Sequence, residues 1–308
     1  VLVPPSQGDA GRFLAGDVDE VVTRDRRDAP LVRATGGRHT ELARFEDSPI
    51  ISTFATGAPP WNNPELRRAI SGALNRPELA RRLFAGRAAP SGPIAPVFGA
   101  FALPESELAA YPGYRAGFSA DASDARARWE AAGGPALGPI TIDFPSIFDP
   151  RFSASSVVAG MLAEVLGSEF RPAVETYTTI STKVANGAYG NGKAAFWFGW
   201  GPPFAGPEPT ADFLAAYGSL ASDIPALSGA LARLDATFGF TERAGLLHEA
   251  SRLVLEAGSP GVVPWLVERA EVFRWPHYVA ADPSPFWTQH LDAGASIDAT
   301  LESYSTRR

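Results

Sequence analysis

Apolar positions recur at helical spacing in several stretches of this chain and cluster at strand spacing in others. The clearest helix start is Asn62-Asn63-Pro64-Glu65. Leu66, Ala69, Ile70, Ala73 and Leu74 then fall at i, i+3, i+4, i+7 and i+8, with Arg67 and Arg68 on the other face. Asn63 suits the N-cap and Pro64 the first helical position. Asn75-Arg76-Pro77-Glu78 stops this helix and starts a second, which carries Leu79, Leu83 and Phe84 inward until Gly86 ends it. Asp121 to Ala132 reads as a helix closed by Gly133-Gly134, and Ile140 to Phe144 as a strand. An amphipathic helix follows through Val157, Val158, Met161, Leu162, Val165 and Leu166. Next come a strand over Phe170–Tyr177, a short helix near Ile180–Asn186 and a strand over Ala194–Trp200. This β-α-β-α-β order predicts an α/β unit with crossover connections. Arg243 to Ala257 gives another clean helix, and Val262–Val267 and Glu271–Trp275 read as two strands.

Elsewhere the pattern is weaker. Residues 1–55 hold short alternating pieces, Asp17 to Val22 and Pro49 to Phe54, which read as strands lacking enough apolar partners of their own. Residues 87–120 are rich in Pro, Gly and Ala and read as a long ordered surface excursion, a length of loop uncommon without a role. No period of 20 to 50 residues repeats, which excludes solenoids and propellers.

Composition narrows the function classes. A chain of 308 residues exceeds the usual size of a single core, so two lobes are expected. The net charge of −7 is spread along the chain without a basic block, which argues against a nucleic-acid partner. Only Lys183 and Lys193 are lysines among 27 basic residues, a bias that a GC-rich genome explains without special guanidinium chemistry. The absence of cysteine excludes disulfides and thiolate metal sites and fits an exported protein. No apolar run is long enough to span a membrane. Val1-Leu2-Val3-Pro4-Pro5 lacks the features of a signal peptide, so either the mature chain begins there or its beginning is missing.

Motifs for chemistry are absent or incomplete. Gly187 to Lys193 matches a phosphate-binding loop up to the lysine, but Ala194 replaces the Ser or Thr, and the segment closes a helix and opens a strand. His39, His248, His277 and His290 are far apart, and His248-Glu249 lacks the second histidine of a zinc-peptidase helix. No Gly-x-Ser-x-Gly elbow is present. No catalytic group, metal or cofactor is therefore expected. The main non-random feature is aromatic. Phe196, Trp197 and Phe198 precede Gly199-Trp200-Gly201, and a proline-rich stretch with Phe204 follows. Core packing accounts for most of the seven tryptophans. Trp200 differs because its flanking glycines leave the backbone open to approach, as in a pocket wall.

Several segments together resemble the family 5 extracellular solute-binding proteins, the dipeptide- and oligopeptide-binding class of ABC importers. Ala10 to Asp19 resembles the family's small helix followed by Gly-x-x-Asp. Asn63 through Arg76 resembles its helix pair "D-x-x-V-R-R-A-h-x-x-A-h-D/N-R", where h is hydrophobic. Ser123 to Gly133 is similar to its "D-x-x-K-A-x-x-L-L-x-x-A-G" helix, with Arg126 in the lysine place and Trp129 in place of the usual leucine. Phe198 to Gly201 with Pro207 to Leu214 is similar to its "G-W … D-P-x-x-F" stretch. His248 to Glu256 and Val262 to Trp265 are similar to its late helix and "P-x-h-P-L" strand.

The resemblance implies an α/β fold of the two-lobed periplasmic-binding-protein type (type II, cluster C-like), with one lobe nearly complete and the other partial. Residues 1–55 would be a remnant of the first lobe, 56–269 the second lobe, and 270–308 the return to the first. Family members carry a long portion ahead of this chain's start, which a second chain would have to supply if it is missing here. The resemblance places Gly199, Trp200 and Gly201 on the wall of a ligand cleft, with Pro203, Phe204 and Glu208 beside them. Peptide binders of the family hold the ligand's ammonium with an aspartate soon after Gly-Trp, whereas this chain has Pro202-Pro203-Phe204 there. Glu208 and Asp212 are the acids near enough in sequence to substitute, though Asp212 falls in the first turn of the next helix, where its charge is favourable. The implied function is the substrate-binding component of an ABC importer. It would capture a peptide-like, oligosaccharide or other amphipathic solute outside the cytoplasm and deliver it to a membrane permease. The alternatives are the ligand-sensing domain of a transcriptional regulator and a hydrolase using surface carboxylates.

Overall fold

The computed structural model describes residues 9–23, 28–34, 39–146, 154–189, 193–200, 209–222, 224–257 and 262–275. In chain order the first elements are α1 (Asp9–Ala15), β1 (Glu20–Thr23), α2 (Asp28–Arg33), β2 (Thr40–Thr53), α3 (Pro64–Ala73) and α4 (Arg76–Phe84). Then come β3 (Ala88–Pro90), a 3-10 turn at Pro96–Phe101, α5 (Glu105–Leu108), α6 (Phe118–Ala131), β4 (Ile140–Pro145), α7 (Ala154–Leu166), β5 (Phe170–Glu175) and α8 (Tyr177–Ala185). The last are β6 (Ala195–Trp200), α9 (Thr210–Tyr217), α10 (Pro225–Ala236), α11 (Phe240–Glu256) and β7 (Val262–Arg274). The chain divides into two compact units. The smaller takes the described residues up to Asp47 and from Glu268 on, and the larger is Ser48–Val267.

In the smaller unit, Glu20–Thr23 pairs antiparallel with Glu271–Arg274. The helices α1 and α2 bury Ala10, Phe13, Ala29 and Val32 against Val21 and Phe273. Trp275 stacks on Phe13 at 4.7 Å and donates its indole N–H to the Phe13 carbonyl at 3.2 Å. Arg274 pairs with Glu20, and Arg33 with Glu271 at 2.9 Å.

The larger unit is built on a sheet in the order β7-β2-β6-β4-β5, with β3 beside β7. Its β4 lies between β5 and β6 and is parallel to both, and α7 and α8 make the crossovers that parallel strands require. Period-2 alternation sends Ile140, Ile142, Phe144, Phe196, Phe198 and Ile50 to one face, where they pack with Leu66, Ile70, Trp129, Val158 and Leu162. The opposite face carries Ile51 and Trp197, covered by Ile180 of α8 and by Tyr189.

Capping chemistry sets the helix ends. The Asn63 side chain accepts from the Glu65 amide at 3.0 Å, and that of Asn75 from the Glu78 amide at 3.1 Å. The second helix ends with Ala85 in the left-handed region at φ 51°, one residue before Gly86 at φ 80°. Thr176 caps α8 through the Thr179 amide at 3.1 Å, so β5 stops at Glu175, short of the predicted Tyr177.

Three expectations need correction, and one helix adds to them. Arg67 is 8% exposed and not on an outer face, because its guanidinium turns back to donate to the Trp61 carbonyl. Residues 87–120 are not a surface excursion: Ile94, Phe98, Phe101, Leu103, Leu108 and Tyr114 are buried, at spacings too irregular to show a period. Strand β7 is continuous through Glu268-Arg269-Ala270 instead of forming two strands, since it passes from one unit into the other and its polar interruption does not break it. Helix α10, which the sequence expectations omit, does carry a helical signal: Pro225 at its start and the buried Leu227, Ala230, Leu231 and Leu234 at i, i+3, i+4 and i+7.

The larger unit is clasped by Arg76, whose side chain is fully buried. Its guanidinium carbon lies 3.9 Å from the Tyr114 ring centroid and 4.4 Å from that of Trp265. Its Nε donates to the Pro264 carbonyl at 3.3 Å, Nη1 to the Ser71 carbonyl at 2.9 Å, and Nη2 to Ser71 Oγ at 3.0 Å and Pro264 O at 3.2 Å. Desolvation pulls its pKa below the ordinary guanidinium value, while Tyr114 and Asp121 work in the opposite direction. Gly113, at φ 81°, makes room, because a Cβ there would run into the guanidinium and the Ser71 carbonyl. Arg76→Ala removes the guanidinium donors from these buried carbonyls, leaving Pro264 O only the Tyr114 hydroxyl at 3.4 Å, and opens a cavity, so it is expected to destabilise the protein by about 3 kcal/mol or more in urea unfolding. Arg76→Lys keeps the charge but loses the planar fork, so its midpoint is expected between wild type and Arg76→Ala.

Candidate ligand site at the end of strand β6

Strand β6 runs Ala195-Phe196-Trp197-Phe198-Gly199-Trp200 and pairs antiparallel with β2 through Trp200–Ile50, Gly199–Ile51, Phe198–Ser52 and Trp197–Thr53. Phe196 and Phe198 anchor it in the main core, so Trp197 and Gly199 face the other way. A Cβ at Gly199 would meet Pro145 Cγ at 2.9 Å, Pro145 Cδ at 3.0 Å and Trp197 Cζ3 at 3.3 Å. Glycine is therefore the residue that lets the pyrrolidine ring of β4 lie against the end of β6.

Topology marks the same place. From β4 the chain crosses by α7 to β5 on one side and then by α8 to β6 on the other. The carboxyl ends of β4 and β6 thus flank a point where the strand order reverses, where open α/β sheets place their ligands. Of the residues predicted from sequence, Gly199 and Trp200 occupy the last two positions of β6. The Trp200 side chain lies outside the described residues, as do Gly201, Pro203, Phe204 and Glu208.

Asp143, on β4, escaped the sequence reading. It is 2% exposed, and its Oδ2 accepts from Lys183 Nζ at 2.9 Å and from the Tyr189 hydroxyl at 2.7 Å. Lys183 also donates to Glu175 at 3.1 Å. Burial alone would lower the Lys183 pKa, but the Asp143 and Glu175 carboxylates outweigh it and hold the ammonium above its ordinary value. Burial, reinforced by Asp143, pushes the Tyr189 hydroxyl far up. The one acid in a mostly apolar strand, and one of only two lysines in the chain, were the available signals.

Other candidates take structural places. Gly187 closes α8 at φ 63°, and β6 follows Lys193, so no helix N-terminus opens after the lysine of the phosphate-loop lookalike. His248 Nε2 is 2.9 Å from the Ala102 carbonyl, and His39 sits edge-on to Phe273 at 5.2 Å. His277 and His290 lie outside the described residues. Among the described residues no group of three His, Cys, Asp or Glu side chains could hold a metal ion, and no helix is long and apolar enough to cross a membrane. Trp61, Trp129 and Trp265 are fully buried, and their indole N–H groups donate to Ala195 O at 2.7 Å, Ser168 Oγ at 2.8 Å and Ser52 Oγ at 2.6 Å.

The sequence model of the bacterial extracellular solute-binding proteins, family 5 Middle, matches residues 1–219. The chain belongs to this family. Among solved structures it is similar to Haemophilus influenzae OppA in complex with RPPGFSPFR, with 17% identity, 90% of this chain and 53% of that chain covered, and a TM-score of 0.66. It is also similar to the Escherichia coli murein tripeptide binding protein MppA, with 18% identity, coverage of 87% and 52%, and a TM-score of 0.67. For Brucella suis NikA in complex with Fe(III)-EDTA the identity is 15%, the coverage 89% and 57%, and the TM-score 0.63. At these identities the likeness is one of fold. The chain spans about half the length of the structures it matches, 52–57% in these three. No curated protein matches the sequence.

Gly199→Ala forces Pro145 or Trp197 to shift and is expected to cost about 1–3 kcal/mol in urea unfolding. A wild-type midpoint would contradict the close packing of β4 on β6. A second expectation concerns pH. Because the Lys183 pKa is raised on folding, its contribution to stability is complete below the ordinary lysine value and is lost as pH rises through the folded value. Urea midpoints are expected to fall above about pH 10, and Lys183→Met is expected to shrink that fall. An alkaline profile unchanged in the variant would contradict the ion pairs.

Proposed function

We propose that this chain is part of the substrate-binding component of an ABC importer, which captures a small solute outside the cytoplasm and delivers it to a membrane permease. The observation that carries this reading is the end of β6: Gly199 and Trp200 stand at the carboxyl edge of the parallel strands, beside the reversal of strand order, in a chain of the solute-binding family. Binding without chemistry is the corresponding mode of action. In this reading residues 56–269 serve as the second lobe, with 1–55 and 270–308 belonging to the first. A further polypeptide stretch, on the same or a second chain, completes the protein.

The solute wall extends from Gly199 and Trp200 through Gly201, Pro203, Phe204 and Glu208. In this reading the backbone at the end of β6 offers hydrogen bonds to the solute, and the aromatic and proline side chains supply apolar contact. Solved relatives are recorded with a nonapeptide and with a metal chelate, so the fold alone does not select the solute. With Pro202-Pro203-Phe204 where the family's peptide binders carry an acid, the recognised end of the solute here is uncharged or weakly basic. A blocked peptide, an oligosaccharide or a similar amphipathic metabolite meets that requirement.

The full-length protein, purified natively and analysed by native mass spectrometry, is expected to carry a small molecule. Trp200→Ala is expected to weaken its retention about tenfold or more, the equivalent of losing one aromatic contact. Retention unchanged in Trp200→Ala would remove the strand end from the binding site.

A further inference from the structure

The strand register sets three polar residues side by side on the sheet face that turns away from the main core. Thr53 of β2 is the partner of Trp197 of β6, and Trp197 is the partner of Asp143 of β4. Neighbouring strands lie about 4.7–4.9 Å apart, which sets the spacing along such a row. Each carries a buried polar atom with no hydrogen-bond partner among the described residues: Thr53 Oγ1, Trp197 Nε1 and Asp143 Oδ1. Trp197 is 8% exposed and Asp143 2%. Folded proteins leave few such atoms unpaired, and here three fall at adjacent positions of one cross-strand row.

Their chemistry is complementary to one kind of occupant. The Trp197 indole can only donate, and the Asp143 carboxylate, whose other oxygen is held by Lys183 and Tyr189, can only accept. Thr53 can do either. An ammonium has no lone pair for the indole, and a carboxylate or phosphate has no proton for Asp143 and would meet its charge. A hydroxyl oxygen both accepts and donates. The cover over this face is Ile180 and Tyr189, with Ile51 beside the row on the face itself, which suits a small neutral group.

We propose that the row Thr53–Trp197–Asp143 is a binding site for one neutral hydroxyl group, which accepts from Trp197 Nε1–H, donates to Asp143 Oδ1 and takes Thr53 Oγ1 as its third partner. Two sources have this chemistry: an ordered water and the hydroxyl of a small polyol. The site stands independently of the solute-binding reading, although it shares a strand face with Gly199, two residues and about 7 Å further along β6.

Nuclear magnetic resonance on the 15N-labelled full-length protein tests this, with the Trp197 indole proton assigned by its loss in Trp197→Phe. The expected result is a contact from that proton to long-lived water, or, with D-glucose added as the polyol probe, to the sugar. Water retained in the presence of glucose identifies the first source, and its replacement by glucose the second; both support the proposal. Thr53→Val keeps the side-chain shape and removes the hydroxyl, and it is expected to shorten the occupant's residence about two- to tenfold. An indole proton with no contact to water or glucose overturns the proposal, as does a contact unaffected by both Thr53→Val and Asp143→Asn.

Discussion

The Arg76 guanidinium, stacked between Tyr114 and Trp265 and bonded to the carbonyls of Ser71 and Pro264, is the contact on which the geometry of the larger unit depends. A buried cation is costly to desolvate, so the surrounding chain is arranged to satisfy it. The turn between α3 and α4 delivers the arginine, Gly113 makes space for it, and the buried Asp121 accepts from the Gly113 amide at 2.8 Å. The consequence reaches the candidate site through the sheet. Arg76 fixes Pro264 and Trp265 on β7, the Trp265 indole donates to Ser52 on β2, and Ser52 is the register partner of Phe198 on β6. The strand that ends in Gly199-Trp200 is thus held in place from the helix pair outward.

Legibility in the sequence followed how local the determining interaction is. Asn63-Pro64 and Asn75 with Pro77 announce their helices because a cap needs only residues two or three apart. The β-α-β-α-β order showed itself because buried parallel strands and one-sided helices have different apolar periods. Arg67 and Arg76 were hidden for the opposite reason. A charged residue counts as outward in any periodic pattern, and only tertiary contacts with Trp61, Tyr114 and Pro264 bring these two inside. Residues 87–120 bury their apolar side chains at irregular intervals, which composition alone reads as loop.

The same distinction applies to the site. Gly199-Trp200 stood out by its flanking glycines, but the reason for Gly199 is the Pro145 ring of a strand more than fifty residues earlier. The cluster of Asp143, Lys183, Glu175 and Tyr189 joins β4, β5, α8 and the segment after it, so no spacing in the sequence could bring it together. The proposed function gives both features one frame: a sheet whose strand ends meet a solute. On the proposed reading, the departure at Pro202-Pro203-Phe204 matches a solute with an uncharged or weakly basic end.

The central claim is that solute meets this protein at the carboxyl end of β6. Hydrogen exchange of the full-length protein, with and without its co-purified solute, reads that contact at backbone resolution. The expected result is slowed exchange at the amides of residues 199–201 when solute is present. Protection confined to other segments, with 199–201 unchanged, would contradict the account.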